Sequence, residues 1–325
     1  MKVNLVSVQY QPNPAVYKEW LTYHHALGFD KIFIFDNNIT LADKKSAEPL
    51  PQMFDNVTVI KIKHRINGTQ NFRWDYENLY LKDCDYYIVL DSDEYLYFNK
   101  NQTVQEFLSN YKELDWHMLL VPWKDIGSNK LIEHGKSVVS DFRMVVDDSV
   151  KGIKTGSIKN LATGERSLDC GVKTFFKTSA ITDEKKDHMH YLEKTKNVDI
   201  YTEERKTMIV DIVFENAYKL DKSVATREDY REIKGENTYG CVYHYRWTYS
   251  DDIDKCLARS DSWYGKNSLL KNSWSWNRGY VPRNGKKAEG YKNRWGVIFK
   301  DNNKEDLSMV NRFKELGIWD SLKEP

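Results

Sequence analysis

Short apolar runs with strand character alternate with amphipathic stretches along residues 1–125. The runs are rich in β-branched and aromatic residues: VNLVSVQY (3–10), KIFIFD (31–36), VTVIKIK (57–63) and YYIVLD (86–91). Between the first two, apolar side chains recur at helical spacing from Tyr17 to Leu27, and Gly28 favours a helix end. A second helical stretch surrounds residues 72–81. This alternation predicts an α/β fold with a mixed, mainly parallel central sheet flanked by helices.

Later elements are less regular. WHMLLVPW (116–123) predicts a strand that leads into a loop at Gly127, VKTFFK (172–177) predicts another strand, and residues 250–263 predict a capped helix. We find neither an internal repeat nor a low-complexity linker in the sequence. We therefore predict one main domain over 1–265, with a helical or irregular C-terminal extension over 266–325 packed on it.

Three carboxylates follow the fourth apolar run directly, in the stretch YYIVLDSDEYLYF (86–98). Asp91, Asp93 and Glu94 repel one another, and the stretch between Lys82 and Lys100 contains no Lys or Arg that could offset them. A buried carboxylate without a positive partner is costly in free energy. The acids are therefore either solvated at the tip of a loop or arranged to bind a cation.

A second apolar run ends in Asp36, so two separate segments bring carboxylates to strand ends. The carboxyl ends of parallel strands lie at one edge of a sheet, where ligands of such folds bind. Two carboxylates at i and i+2, as at Asp91 and Asp93, can present oxygens to one hard divalent ion that keeps positions open for phosphate oxygens. This pattern favours a site for a metal ion and a nucleotide diphosphate.

Two other interpretations of the D-x-D pattern stay open at this point. A phosphohydrolase would use Asp91 as a covalent nucleophile, and an acidic loop tip without function would show the same residues. An EF-hand loop is excluded, because Tyr95 and Leu96 stand where that loop needs a ligand and a glycine.

Composition and charge narrow the class of protein further. The chain has 325 residues, is 40% hydrophobic and carries a formal net charge of +1, which gives no overall reason to expect a nucleic-acid partner. Its four cysteines show no C-x-x-C spacing, which argues against a zinc site and a disulfide framework. No run approaches eighteen apolar residues, and the N-terminus enters a strand directly. We expect a cytoplasmic protein.

Four ordered motifs resemble glycosyltransferase family 92 and related family 2-like bacterial enzymes. They are KEWLTYHHALGFDKIFIFDNNIT (18–40), DYYIVLDSDEYL (85–96), WKDIGSNK (123–130) and VYHYRWTYSDDIDKC (242–256). The resemblance covers roughly residues 1–265 and implies a nucleotide-diphospho-sugar transferase (GT-A) fold. It implies a UDP-sugar donor, Mn²⁺ or Mg²⁺ as cofactor, and inversion at the anomeric carbon.

The resemblance also implies roles for individual residues. Asp91 and Asp93 correspond to the D-x-D motif, with Asp93 the more direct metal ligand, and Asp36 corresponds to an acid placed against the uracil edge. Other residues implied at the donor or acceptor site are Asn38 beside Asn37 in the turn after the second strand, Gln70 before the D-x-D, and Trp123 on the acceptor side. Gln11-Pro12-Asn13 departs from the Asn-Glu of relatives, and Ile126 replaces a phenylalanine.

The general base and the metal-binding histidine are predicted separately. Inversion needs a carboxylate that deprotonates the acceptor hydroxyl, for which we select Asp141 first and Glu94 second. Either acid could instead be structural, and Glu94 could fix the D-x-D loop by accepting backbone hydrogen bonds. The H-x-H of His188 and His190, and His244 in the Y-H-Y motif, are candidates for the metal or diphosphate, and we select His190 and His244 as metal ligands.

Residues 266–300 form the one strongly biased region of the sequence. Nine Lys or Arg stand there against the single acid Glu289, interleaved with Trp and Tyr. Such a strip suits peripheral contact with an anionic membrane or a diphosphate-linked lipid acceptor, and an ordinary solvated face is the alternative. We therefore expect a transferase that acts on a glycan or lipid-linked saccharide in surface polysaccharide synthesis, with a phosphohydrolase or an inactive sugar-binding module as alternatives.

Overall fold

The structure of the chain is a computed structural model that describes residues 1–9, 12–37, 48–62, 76–98, 100, 102–113, 116–127, 137–146, 172–181, 208–210, 230–232, 240–245 and 302–322. The chain divides into two compact units. The first unit comprises residues 1–65, 70–124 and 154–243, and the second comprises 66–69, 125–153 and 244–325. The predicted helix at 250–263 and the predicted boundary at 265 lie outside the described residues.

The described strands, in chain order, are β1 Val3–Gln9, β2 Lys31–Asp36, β3 Val57–Lys61, β4 Tyr86–Leu90, β5 Glu94–Phe98, β6 Met118–Gly127, β7 Met144–Val146, β8 Val172–Lys177, β9 Met208–Val210, β10 Tyr230–Glu232, β11 Gly240–His244 and β12 Asn302–Glu305. The described helices are α1 Pro14–Ala26, α2 Glu77–Tyr80, α3 Val104–Ser109, α4 Val138–Asp141 and α5 Ser308–Glu315, with 3-10 turns at Thr178–Ala180 and Asp320–Leu322.

A mixed sheet forms the centre of the first unit. Strands β3, β2, β1 and β4 lie side by side and run parallel. Strands β8, β6, β9 and β10 continue the sheet from β4 in antiparallel pairs. The side chains of β2 and β4 are buried apart from their first residues, as expected for strands that are covered on both faces. The predicted α/β class with a mixed central sheet is confirmed.

The register of the parallel strands fixes the edge at which the site forms. Gln9 pairs with Asp36, and Ser7 pairs with Leu90, so β1, β2 and β4 end at the same side of the sheet. Asp91 follows β4 directly. The prediction that both acidic segments reach one edge is therefore confirmed.

Helix α1 ends where the sequence predicts and begins at Pro14, before the helical spacing that the sequence shows from Tyr17. The Asn13 side chain accepts a hydrogen bond from the Ala15 N–H at 2.9 Å, and Pro14 suits the first helical position because its missing N–H needs no partner there. Gly28, with φ of +86°, takes the left-handed conformation that ends the helix. The helix buries Trp20, Leu21 and Tyr23 completely, which anchors it in the core.

Strand β6 is longer than predicted. The sequence suggested a strand over 116–123 followed by a loop at Gly127, whereas β6 continues to Gly127. The reason is pairing with β7, in which Ile126 lies opposite Val145 and Gly127 opposite Met144. Local sequence did not reveal this partner strand.

The second unit contains the end of β6 with β7, β12, α4 and α5. β7 and β12 are antiparallel, with Met144 opposite Glu305. Helix α5 buries Phe313 and Met309 against this unit. In the part of the chain that the structure describes, no helix is long and apolar enough to cross a membrane.

Candidate functional site

The D-x-D turn joins β4 to β5 and is closed by two hydrogen bonds that run in opposite directions. The Glu94 carboxylate accepts from the Asp91 N–H at 2.8 Å, and the Glu94 N–H donates to the Asp91 carbonyl at 3.2 Å. Asp91 and Asp93 are half-buried, whereas the Glu94 side chain is fully buried. The turn therefore holds one acid in the core and leaves two at the sheet edge.

A buried lysine from another strand contacts two acids of this turn. Lys173 Nζ lies 2.9 Å from Asp91 Oδ2 and 3.0 Å from Glu94 Oε2, and the Lys173 side chain has no exposed surface. Residue 173 lies in β8, which runs antiparallel to β4 with Ile88 opposite Phe175. If this register continues for two more residues, Lys173 lies opposite Leu90, the last residue of β4. From the sequence alone the acids are either solvated or arranged to bind a cation, and Lys173 is not among the predicted site residues.

Electrostatics keep Lys173 charged despite its burial. Desolvation by burial is the largest single influence and lowers its pKa, but the charges of Asp91 and Glu94, with their hydrogen bonds, outweigh it. The pKa of Lys173 is therefore raised above its usual value. The cluster is an ion-paired triad in which one ammonium serves two carboxylates.

Helix α1 fixes β5 through side chains that hydrogen-bond its backbone. Trp20 Nε1 donates to the Glu94 carbonyl at 2.8 Å, and the Tyr23 hydroxyl donates to the Leu96 carbonyl at 2.6 Å. The Leu96 N–H lies 3.5 Å from His24 Nε2, which can accept from it. The helix thus supplies partners to the backbone of the strand that follows the D-x-D turn.

Glu19 completes this contact between α1 and β5. The Tyr95 hydroxyl donates to Glu19 Oε1 at 2.9 Å, and both residues are fully buried. With Trp20, Tyr23 and His24, Glu19 makes up the E-W-x-x-Y-H pattern that carried part of the family resemblance. The pattern has a structural reason, since every one of these residues contacts β5.

His24 is neutral in this setting. Its Nδ1 lies 2.8 Å from the Trp20 carbonyl, so Nδ1 carries the hydrogen and Nε2 is the acceptor. Burial lowers the pKa of His24 to about 3. A charged imidazole is therefore disfavoured in the native core.

Asp36 lies at the same sheet edge and is 1% exposed. Its Oδ2 accepts a hydrogen bond from the Leu50 N–H at 3.0 Å, and its carbonyl accepts from the Ile62 N–H at 3.0 Å. The pKa of Tyr17 is raised, mainly by burial and to a smaller extent by the negative charge of Asp36. Asp36 therefore helps to hold the segments after β2, and its predicted contact with uracil stays a prediction.

Tyr243 joins two of the resembling motifs and the strand that follows a third. Lys124 Nζ donates to the Tyr243 hydroxyl at 3.3 Å and lies 5.1 Å from the centre of its ring. The ring of Tyr97 packs edge-on against Tyr243 at 5.3 Å. Residues 124 and 243 belong to the W-K-x-x-G-S and Y-H-Y motifs, and Tyr97 directly follows the D-x-D motif of residues 85–96. The motifs therefore meet in space as well as following in order.

Other predicted site residues are distributed as follows. Asp141 ends α4 in the second unit, is half-buried and accepts from the Ser140 hydroxyl at 3.1 Å. His244 ends β11 and is 2% exposed. The predictions that lie outside the described residues are those on Asn38, Gln70, His188, His190, the Trp123 side chain and the strip 266–300.

The carboxylate oxygens at the turn suit a hard cation, because Mn²⁺ and Mg²⁺ prefer oxygen ligands of this kind. Among the described residues, however, no group of three or more His, Cys, Asp or Glu side chains is placed to hold a metal ion. One oxygen of Asp91 already contacts Lys173. The described carboxylates fit part of a metal site and would need further ligands to complete it.

Comparison with known proteins identifies the family. Residues 6–277 match the sequence model of Glycosyltransferase family 92, which is more than half of the chain. The chain belongs to this family and is a glycosyltransferase. No curated protein sequence matches it.

The comparison with solved structures finds chains of low sequence identity. One is residues 1–349 of S. aureus TarS, at 14% identity, with 97% of this chain and 80% of that chain covered and a TM-score of 0.33. The same TarS fragment in complex with UDP shows 14% identity, the same coverage and a TM-score of 0.32. The galactosyltransferase LgtC, in complex with donor and acceptor sugar analogues, shows 14% identity over 83% of this chain and 99% of that chain, with a TM-score of 0.27. These similarities are too distant to transfer residue roles.

Proposed function

We propose that this family 92 glycosyltransferase transfers a sugar from a UDP-sugar to a hydroxyl of a glycan or lipid-linked saccharide, with inversion and with a divalent metal ion. One observation supports the donor site most strongly. The half-buried pair Asp91 and Asp93 lies at the carboxyl edge of the parallel strands, on a turn that Lys173 and Glu94 hold in place. That edge is where open α/β sheets bind nucleotides.

We assign two residues of this cluster to metal binding and two to holding the turn in place. Asp91 and Asp93 would hold Mn²⁺ or Mg²⁺, which supplies positive charge against the leaving diphosphate when bound. Glu94 and Lys173 are fully buried and keep the turn in one conformation. Such a preorganised site stabilises developing charge without rearranging during the reaction.

Burial separates the two candidates for the general base. A base must come within hydrogen-bonding distance of the acceptor hydroxyl. The Glu94 carboxylate has no exposed surface and contacts both Lys173 and the Asp91 N–H. Asp141 is half-buried and is therefore the better candidate. We retain Asp141 as the proposed base and give Glu94 the role of fixing the turn.

The setting of the enzyme is also part of the proposal. We propose that the enzyme works in the cytoplasm on surface polysaccharide, with peripheral attachment to the inner face of a membrane through the basic strip 266–300. This strip has the composition that favours an anionic surface. Because the chain belongs to a glycosyltransferase family, we prefer this function to the two alternatives from the sequence, a phosphohydrolase and an inactive sugar-binding module.

A thermal-shift screen tests the donor proposal directly. UDP and UDP-sugars should raise the melting temperature in the presence of Mn²⁺ and raise it less with EDTA, since a ligand that binds only the folded state stabilises it. ADP, GDP and CDP serve as matched nucleotides. A UDP-sugar that stabilises the protein should then release UDP faster when acceptor is added. Equal shifts for all nucleotides, or none with any, would contradict the proposal.

A further inference from the structure

Lys173 contacts one acid in the buried core and one acid at the exposed edge of the sheet. Its Nζ contacts Glu94, whose side chain is fully buried, and Asp91, whose side chain is 32% exposed. β8 is an interior strand between β4 and β6, and residue 173 lies opposite Val121 of β6. The ammonium therefore reaches from the middle of the sheet to the edge that we assign to the donor.

Stability alone is a weak reason for this arrangement. Removing two charges from water is costly, and replacing a buried ion pair by apolar residues of similar size is often neutral or stabilising. A buried pair that includes one half of the D-x-D motif is instead suited to orienting that motif. Ligand-orienting partners of this kind commonly matter for metal affinity and activity.

The charge of Asp91, Asp93, Glu94 and Lys173 is consistent with a role of Lys173 in orienting the D-x-D motif for a metal ion. Asp91, Asp93 and Glu94 carry three negative charges, and Lys173 carries one positive charge, so these four residues by themselves have a formal charge of −2. A divalent cation would balance this charge. Without Lys173 the same turn would hold a larger excess of negative charge.

We propose that Lys173 is a positioning residue of the donor site, which holds the Asp91 carboxylate in the orientation that binds the metal and the diphosphate. This inference rests on the proposed function. It assigns to Lys173 an effect on ligand binding that is separate from its effect on folding. Lys173 itself contacts neither sugar nor diphosphate in this proposal.

A double variant separates the two effects. Lys173→Met alone removes an ammonium that contacts the buried Glu94 carboxylate and should destabilise the fold. Lys173→Met with Glu94→Gln removes one positive and one negative charge, so the net charge of the cluster is unchanged. The new amide oxygen at residue 94 can still accept the Asp91 N–H. What the double variant lacks is the hold of Lys173 on Asp91.

Binding of UDP in the presence of Mn²⁺, measured by calorimetry, is the readout, together with thermal melts. The double variant should regain most of the melting temperature lost in Lys173→Met, yet bind UDP about 10- to 100-fold more weakly than wild type. Lys177→Met, on the same strand and half-buried at its far end, should bind as wild type does. A stable double variant with wild-type affinity would overturn the inference. A wild-type protein that binds no UDP would overturn the proposed function instead.

Wild-type protein provides a second test that does not depend on a variant that folds. Labelling of Lys173 by an amine-reactive anhydride requires local opening of the turn. UDP with Mn²⁺ should slow that labelling, as followed by peptide mass spectrometry, and leave labelling of Lys177 unchanged. Equal rates at Lys173 with and without UDP, in protein that binds UDP, would also overturn the inference.

Discussion

The indole nitrogen of Trp20 donates a hydrogen bond to the main-chain carbonyl of Glu94 over 2.8 Å. This bond joins the first helix to the residue that closes the D-x-D turn, across 74 positions of sequence. It makes α1 part of the support of the site. Mutations in the helix should therefore affect donor binding as well as stability.

Trp20→Phe should lower the free energy of unfolding by roughly 1–3 kcal/mol, because a buried carbonyl loses its donor. It should also weaken UDP binding, because the turn is less firmly held. Trp116→Phe is the matched control, since Trp116 is equally buried and donates to the Tyr111 carbonyl at 3.0 Å. Urea denaturation should show similar losses for both variants, with weaker UDP binding only for Trp20→Phe. Equal UDP affinities would remove α1 from the support of the site.

Asp93→Ala should abolish transfer and Mn²⁺-dependent UDP binding. Deleting one of two anionic ligands leaves the charges of the cation and the diphosphate poorly compensated. Calorimetry with UDP and Mn²⁺ measures the effect, and Asp55→Ala, an exposed position before β3, provides the control. An affinity equal to that of wild type would return the turn to an acidic loop without a metal.

Asp36→Asn tests the predicted contact with the base. The new side chain keeps an oxygen that can accept the Leu50 N–H, so the turn should be preserved. If Asp36 accepts the uracil N3–H, UDP should bind more weakly by roughly 1.5–3 kcal/mol, the range for hydrogen bonds to charged groups. A cytidine diphosphate, whose N3 is an acceptor, should be spared. Comparable losses for both nucleotides would show that Asp36 only holds the turn.

His24 should make the protein sensitive to acid. Its pKa is about 3 in the native state against an ordinary value of 6.5, so between these values the unfolded chain binds the extra proton. Stability should therefore fall as the pH drops through this window, by up to about 1.4 kcal/mol per pH unit.

Replacement of His24 by Gln should remove that part of the acid sensitivity. The amide can still donate to the Trp20 carbonyl and accept from the Leu96 N–H, while it does not titrate. Guanidinium denaturation at a series of pH values gives the slope for each protein. Parallel slopes for His24→Gln and wild type would show that other groups control acid unfolding.

The basic strip 266–300 should contribute to membrane contact. Replacement of Arg283, Lys286, Lys287 and Lys292 by Gln should reduce sedimentation with anionic vesicles and slow transfer to a lipid-linked acceptor. Salt should have a similar effect on wild type, because attraction between exposed charges is screened once the Debye length falls below about 10 Å. UDP binding should hardly change. Loss of nucleotide affinity would place the strip in the donor pocket, and no loss of either kind would make it a solvated face.

The sequence by itself determined the parallel strands of the sheet, the first helix and the edge at which the acids lie. Alternation of apolar runs predicted β1, β2 and β4, and Gly28 marked the end of α1, because strand pattern and helix ends are local properties. Asp36 and Asp91 were placed at one edge because strands that run parallel end on the same side of a sheet. The ordered motifs identified the family.

Only the tertiary structure decided what surrounds the acids. VKTFFK contains two lysines, Lys173 and Lys177, and the sequence shows neither that Lys173 is the buried one nor that Asp91 and Glu94 are its partners. The sequence likewise did not predict the extra length of β6 or the hydrogen bonds from Trp20, Tyr23 and His24 to β5. Strand direction and register, which decide these contacts, depend on residues far apart in the chain, whereas periodicity records only which face of each strand is buried.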